Sequence, residues 1–451
     1  MTWVKALVGV ACGIGLMGGA VAVSADLSPE QTLGLANQAF AQGDFPKAIA
    51  FVQPILDNPA VFRSSRRLQV LSLVRLGKTA EGLDAYDRFV VAMDDREDDV
   101  LLRELALHSI LPLRSDMRVQ VRGAAYSALK EIPSDDVVPY FYDGLSDGSG
   151  MIRVLVAEGL GKFPAGRQST MFRDALDDQA GLVRVTVIKT LGRFGDAATI
   201  PLITSRLRDK QTVVRVVAAA ALYRLGQKEQ WQNVEQAATV AEGYERGAAL
   251  RMLGEMGDPR GVPLLTRGLR DPQPSIRAAA AASLGNLGLA ESVPPLIAAL
   301  SDPVPAVRSV VAVTLGQFKT KQAVSALVRA LHDNNMGVRA AAVAGLLQLD
   351  SPFHVVAGTV RVLMEQHNPG LRSSVAKALG HGRARDVVAP LLLLSEDPVS
   401  KPRISAVRSL GRVGGREIMP HLKKLMRDAS EAVRATAGGA LARILSFPAE
   451  I

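Results

Sequence analysis

Asp302-Pro303-Val304-Pro305-Ala306-Val307-Arg308-Ser309-Val310-Val311-Ala312-Val313-Thr314-Leu315-Gly316 decides the fold. Asp302-Pro303 stops one helix and Pro305 opens another. Proline has no amide to donate and presets the φ of a first helical turn. Val307, Val311 and Leu315 are spaced by four, so they share one buried stripe. Gly316 predicts that the chain leaves the helix at once. Upstream, Val293, Leu296, Ile297 and Leu300 mark the face of a first helix. The stretch reads as a helix–turn–helix.

Its pattern recurs along the chain. Arg122, Arg153, Arg184, Arg215, Arg246, Arg277, Arg308 and Arg339 are each 31 residues apart. Two extra residues intervene before Arg372, Arg403 and Arg434 resume the count. A leucine stands seven positions after every one of the eleven, from Leu129 to Leu441, and in seven units a glycine follows it. Three positions after each arginine there is only Ala or Val. A fixed period over this length means a solenoid whose units pack on their neighbours. With helices about 8–10 Å apart, eleven units predict a contour on the order of 100 Å. An aspartate precedes nine of the arginines by six positions: Asp116, Asp147, Asp178, Asp209, Asp271, Asp302, Asp333, Asp397 and Asp428. Such a carboxylate can accept amides at the start of the second helix. The arginine fork can bridge to the aspartate of its own or the adjacent unit.

The first-helix prolines (Pro201, Pro263, Pro294, Pro390, Pro420), the turn aspartate and the Val-Arg pair resemble HEAT repeats of the short form named after phycobilin lyases. The resemblance covers some 350 residues. It implies an all-α fold, an α-α superhelix, over residues 94–451. Residues 26–93 differ. Ser28-Pro29-Glu30 opens a helix. Ala36, Ala39 and Phe40 mark its face, Gly43-Asp44-Phe45 a turn, and Ala48, Val52 and Ile55 a second face. This segment resembles a tetratricopeptide repeat over about two units. The acidic run Asp94 to Asp99 reads as a solvated joint.

Lys228 to Glu245 breaks the pattern. Gln230, Trp231, Gln232, Asn233 and Gln236 stand where a first-helix apolar face is expected. Val240 replaces the turn aspartate, and Glu245 precedes Arg246. A second irregular unit, Phe353 to Asn368, carries the two extra residues. Irregular units mark bends or contact points, or simply tolerated drift.

Residues 1–25 read as an export signal, cleaved or, as the alternative, kept as a membrane anchor: Lys5, an apolar run from Ala6 to Val23, and the small residues up to Ala25, which favour cleavage. No other apolar run is long enough to span a bilayer. The expected location is the periplasm or outside the cell. Cys12 is the one cysteine. Its removal with the signal leaves no disulfide, thiolate metal ligand or cysteine nucleophile. Net charge is +9, but much of it recurs at fixed repeat positions, which argues against nucleic acid.

Two function classes compete. The resemblance admits enzymes and enzyme accessories of bilin-lyase or metal-dependent hydroxylase type. The hydroxylases place His-Glu pairs on several repeats, and this chain has no His-Glu dipeptide. His108, His332, His354, His367, His381 and His421 form no column. No phosphate loop or nucleophile elbow appears. The expectation is therefore a non-catalytic scaffold, without cofactor or metal, that binds a protein partner through an extended or acidic segment. The binding column lies five and nine positions after each arginine, four apart on one helical side. It runs Glu158, Lys162, Lys189, Arg193, Arg224, Arg251 and Glu255 at one end and Lys377, His381, Arg408, Arg412 and Arg443 at the other; the cations expected to bind are Lys189, Arg193, Arg224, Lys377, Arg408, Arg412 and Arg443. Ala282, Val313 and Ala344 make a neutral middle between two basic shoulders.

Overall fold

The computed structural model describes residues 27–195 and 197–447. The export segment expected over residues 1–25 lies outside them. Every element among the described residues is helical. None of their helices is long and apolar enough to cross a membrane.

Four helices, Pro29–Ala41, Phe45–Val52, Phe62–Arg75 and Thr79–Val91, form two hairpins at the start. Ser28 caps the first with a reciprocal capping box to Gln31. The first hairpin closes a small core of its own around Ala36, Ala48 and Phe51. The second shares the main core, where Tyr86 and Phe89 join Leu101, Leu102 and Leu105.

Eleven units then follow, each with a second helix that begins just ahead of its arginine. These helices are Val119–Leu129, Gly150–Leu160, Gly181–Phe194, Thr212–Arg224, Gly243–Met256, Pro274–Leu287, Pro305–Leu315, Met336–Gln348, Pro369–Leu379, Ser400–Val413 and Glu431–Ile444. Each packs on the next. All eleven leucines of the repeat are at most 2 % exposed, so the stripe read from Val307, Val311 and Leu315 is the seam of the whole array.

The glycine after the leucine does two kinds of work. The helix ends at Leu315 with Gly316 as its cap, as expected, and Gly161 and Gly380 cap their helices likewise, but Gly192, Gly254, Gly285 and Gly411 lie inside their helices. A Cβ on Gly254 would stand 2.8 Å from the Ser283 Cα, and one on Gly411 3.0 Å from the Ala440 Cα. The glycine is present because the next helix passes over it.

The aspartate and arginine join into one rail. Each of the nine aspartates accepts an amide two residues on, at 2.7–2.8 Å. Eight arginines reach forward to the aspartate of the next unit, 25 positions on, at 2.5–3.0 Å. The same fork reaches back to the carbonyl of its own unit's aspartate, as Arg277 does to Asp271 at 2.8 Å. Own and adjacent unit are both engaged, by different atoms.

The array does not end in an open contour. Its last helix, Glu431–Ile444, packs on Val119–Leu129 and on Asp99–Ile110, so the second helices close into a ring of eleven. Gly438 and Gly439 make this approach: a Cβ on Gly439 would lie 2.9 Å from Ala128, and one on Gly438 3.0 Å from the Ala106 carbonyl. Arg118 pairs with Glu431 across the seam at 2.7 Å. The acidic run is solvated at Asp94 and Asp95, but its second half is not a free joint. Asp99 binds Arg416 at 2.5 Å, and Glu97 takes Lys423 at 3.1 Å and the Tyr86 hydroxyl at 2.5 Å. Asp84 and Asp87 hold Arg427 at 2.6 and 3.2 Å. The second hairpin and the acidic run therefore clasp the closure.

Lys228 to Glu245 also departs from expectation. Trp231, Val234 and Ala238 are buried and supply the apolar face that this unit was read as lacking.

Candidate functional site

Closure rearranges the charge column. In a linear array the two basic shoulders stand at opposite ends. In the ring, unit 11 meets unit 1, so the two shoulders adjoin across the closure in one arc from unit 9 to unit 4. Lys162 is its centre. Its ammonium donates to the Lys130 carbonyl at 2.7 Å. Burial of that ammonium lowers its pKa; Lys130, Arg443 and Arg412 add to the effect, and Glu131 opposes it. Arg443 donates to the Glu131 carbonyl at 3.1 Å and lies against the Phe447 ring. Arg408, half-buried, is lowered chiefly by burial, with Arg412 adding and Glu131 opposing. His381 is lowered by burial and then by Arg412, which favours its neutral form. On the other side of Lys162, a cavity of about 340 Å³ is lined by Lys130, Glu158, Lys189, Arg193 and Phe194.

The seven cations expected to bind a partner divide into two groups. Lys189 is neutralised by Glu255 at 2.6 Å, two units away across the concave face. Arg224 donates to the Glu255 carbonyl, and Arg443 is committed to Glu131. Lys377, Arg193 and Arg412 are exposed, and with Arg408 they show no hydrogen bond or ion pair with any described residue. The column continues past Ala282, Val313 and Ala344, which remain uncharged. Lys130 was not on the column. It stands eight positions after Arg122 and joins the cluster because the ring brings unit 1 against unit 11. Its ammonium holds Glu158 at 2.8 Å.

A face of free guanidinium and ammonium groups flanked by half-buried ones can hold carboxylates or other anions by charge-assisted hydrogen bonds. Among the described residues, no three His, Cys, Asp or Glu side chains are placed to hold a metal.

The sequence model described as HEAT repeats matches residues 169–244, 232–304 and 293–355, and that described as HEAT repeat matches residues 418–447. No curated protein matches. Solved structures similar to the chain include human deoxyhypusine hydroxylase, at 21 % identity over 55 % of this chain and 98 % of that one, TM-score 0.30. A phycocyanin lyase complex from Nostoc sp. matches at 23 % identity over 52 % of this chain and 92 % of that one, TM-score 0.35. Kap121p matches at 13 % identity over 91 % of this chain and 53 % of that one, TM-score 0.37.

Proposed function

Because the chain is a HEAT-repeat protein, we propose that it is a non-catalytic scaffold that holds an extended, acidic protein segment on the inner face of its ring. The observation that carries the reading is the set Arg193, Lys377, Arg408 and Arg412, four cations of the column with no hydrogen bond or ion pair to any described residue. Free cations on a concave wall steer and orient an anionic chain. The uncharged arc opposite them lets the rest of such a segment lie down without a fixed register.

The test is calorimetric titration with a glutamate-rich peptide of about fifteen residues, beside a lysine-rich control. The acidic peptide is expected to bind, and more weakly as salt rises. Arg193→Glu with Arg412→Glu should reduce affinity at least about tenfold and flatten the salt dependence. Equal binding of the control, or binding indifferent to both substitutions, overturns the proposal. Iron in the purified chain would instead favour a hydroxylase-like activity. Export is part of the reading: intact mass should place the mature start at Asp26, and a full-length cytosolic product would remove it.

A further inference from the structure

The arginine–aspartate rail lacks its forward partner at two arginines before the last unit: Arg339, where Gln366 takes the turn position, and Arg215. Arg215 has no forward aspartate, because Val240 stands at the position 25 residues on. Its guanidinium is nevertheless anchored like its siblings. Nη1 donates back to the Asp209 carbonyl at 2.8 Å, and Nη2 touches the Thr212 hydroxyl at 2.9 Å. The edge that elsewhere grips a carboxylate through Nε and Nη2, as in Arg184 with Asp209, carries none here. A cavity of about 430 Å³ opens at that edge. Its polar wall is Arg215, Thr212, Asn233 and Gln236, and its apolar wall includes Val216 and Val240. Asp209 is already taken by Arg184 at 2.8 Å. Glu245 lines the adjoining cavity with Tyr244 and forms no ion pair with Arg215.

We propose that this cavity binds a carboxylate borne by a protein segment, which completes the rail in place of the missing aspartate. The volume lies in the range of ligand pockets. Nε and the Nη2 hydrogen not given to Thr212 supply two donors on one edge, the geometry that a carboxylate plane meets. The amides of Asn233 and Gln236 can bond the backbone that carries it. The proposal rests on the scaffold reading above. It names a separate contact, however, since Arg215 lies in the first turn of its helix and the basic column lies toward the far end.

The experiment is calorimetric titration of the full chain with three heptapeptides of Ala and Val. One has an internal aspartate and an amidated C-terminus. The second has serine for the aspartate and a free C-terminal carboxylate. The third has serine and an amidated end. Binding of the first, the second or both, with the third silent, supports the proposal and identifies the source of the carboxylate. Val240→Asp rebuilds the rail from within. It should keep the melting temperature at or above the parent's while weakening the peptide at least about tenfold. Arg215→Lys keeps the charge but loses the fork and should also weaken it. Silence of all three peptides, equal binding of all three, or unchanged binding to Val240→Asp overturns the proposal. Binding of the glutamate-rich peptide on the inner face should be indifferent to Val240→Asp, so the two readings fail separately.

Discussion

A methyl group on Gly254 has nowhere to go. It would stand 2.7 Å from the Ser283 carbonyl oxygen and 2.8 Å from its Cα, both backbone atoms of the next unit. Helix propensity alone favours alanine by about 1 kcal/mol, and overpacking costs about 1–3 kcal/mol. Gly254→Ala is therefore expected to destabilise. Gly358, also helical, has nothing within 4 Å, and Gly358→Ala should stabilise by about 0.5–1 kcal/mol. Urea melts of the two variants decide this, and equal stability would mean that the second helices have room to spare. Leu284, wholly buried, carries the opposite demand. Leu284→Asp puts a carboxylate into the seam and should cost several kcal/mol. At this scale the leucines were legible because their spacing alone assigns them to one stripe. The glycines were legible as a pattern but only half explained: Gly316 ends its helix as read, while Gly254 lies inside one, beneath the next unit. A one-dimensional repeat shows which residue follows Leu315 but not which backbone passes over it.

Helices are tied end to end by the rail, and the rail has a titration signature. Asp302 and Asp333 are held below the usual carboxylate value first by the bonds from Arg277 and Arg308. A carboxyl with a depressed folded pKa adds stability that is fully present above its unfolded pKa and lost as pH falls through the folded one. Stability should therefore be level from neutrality down to about pH 5 and drop below about pH 4. Asp302→Asn should lower the plateau and soften the acid drop; a variant that titrates like the parent contradicts the rail. Periodicity located both partners but left open which aspartate each arginine takes, since own and adjacent unit lie at equal reach. It also overlooked the face of the irregular unit, because Trp231, Val234 and Ala238 are interspersed with polar residues. That Arg215 lacks a forward carboxylate could be read from Val240 alone, once the forward pairing was known.

Closure is a property of the whole molecule, and it was the least legible feature. A 31-residue period declares stacking, while the small rotation per unit that brings unit 11 back to unit 1 is not written in any single repeat. The traces were indirect: two adjacent glycines, Gly438-Gly439, inside a helix that gains nothing from them locally, and acids at Glu97 and Asp99 whose partners Lys423 and Arg416 lie more than 300 residues on. The binding face suffered most from a linear reading. Arg412 and Lys162 stand at opposite ends of the linear column, yet across the closure the charge of one acts on the other. The clasp also changes what truncation means, because removing residues 26–93 removes Asp84 and Asp87 with it. Lys423→Glu with Arg427→Glu should loosen the closure and weaken glutamate-rich peptide binding together, although neither residue belongs to the binding column. The most direct test of closure is the distance between the two ends of the array. Met117 is almost fully exposed beside Arg118, and Ala429 is exposed near Glu431. Spin labels on Met117→Cys and Ala429→Cys, in a Cys12→Ser chain, can be measured by pulsed dipolar spectroscopy. A ring predicts one narrow distribution below about 30 Å, against an open array whose eleven units at about 8–10 Å each would hold the labels far apart. A broad distribution centred well beyond that range would contradict the closed ring and the merged basic face that depends on it.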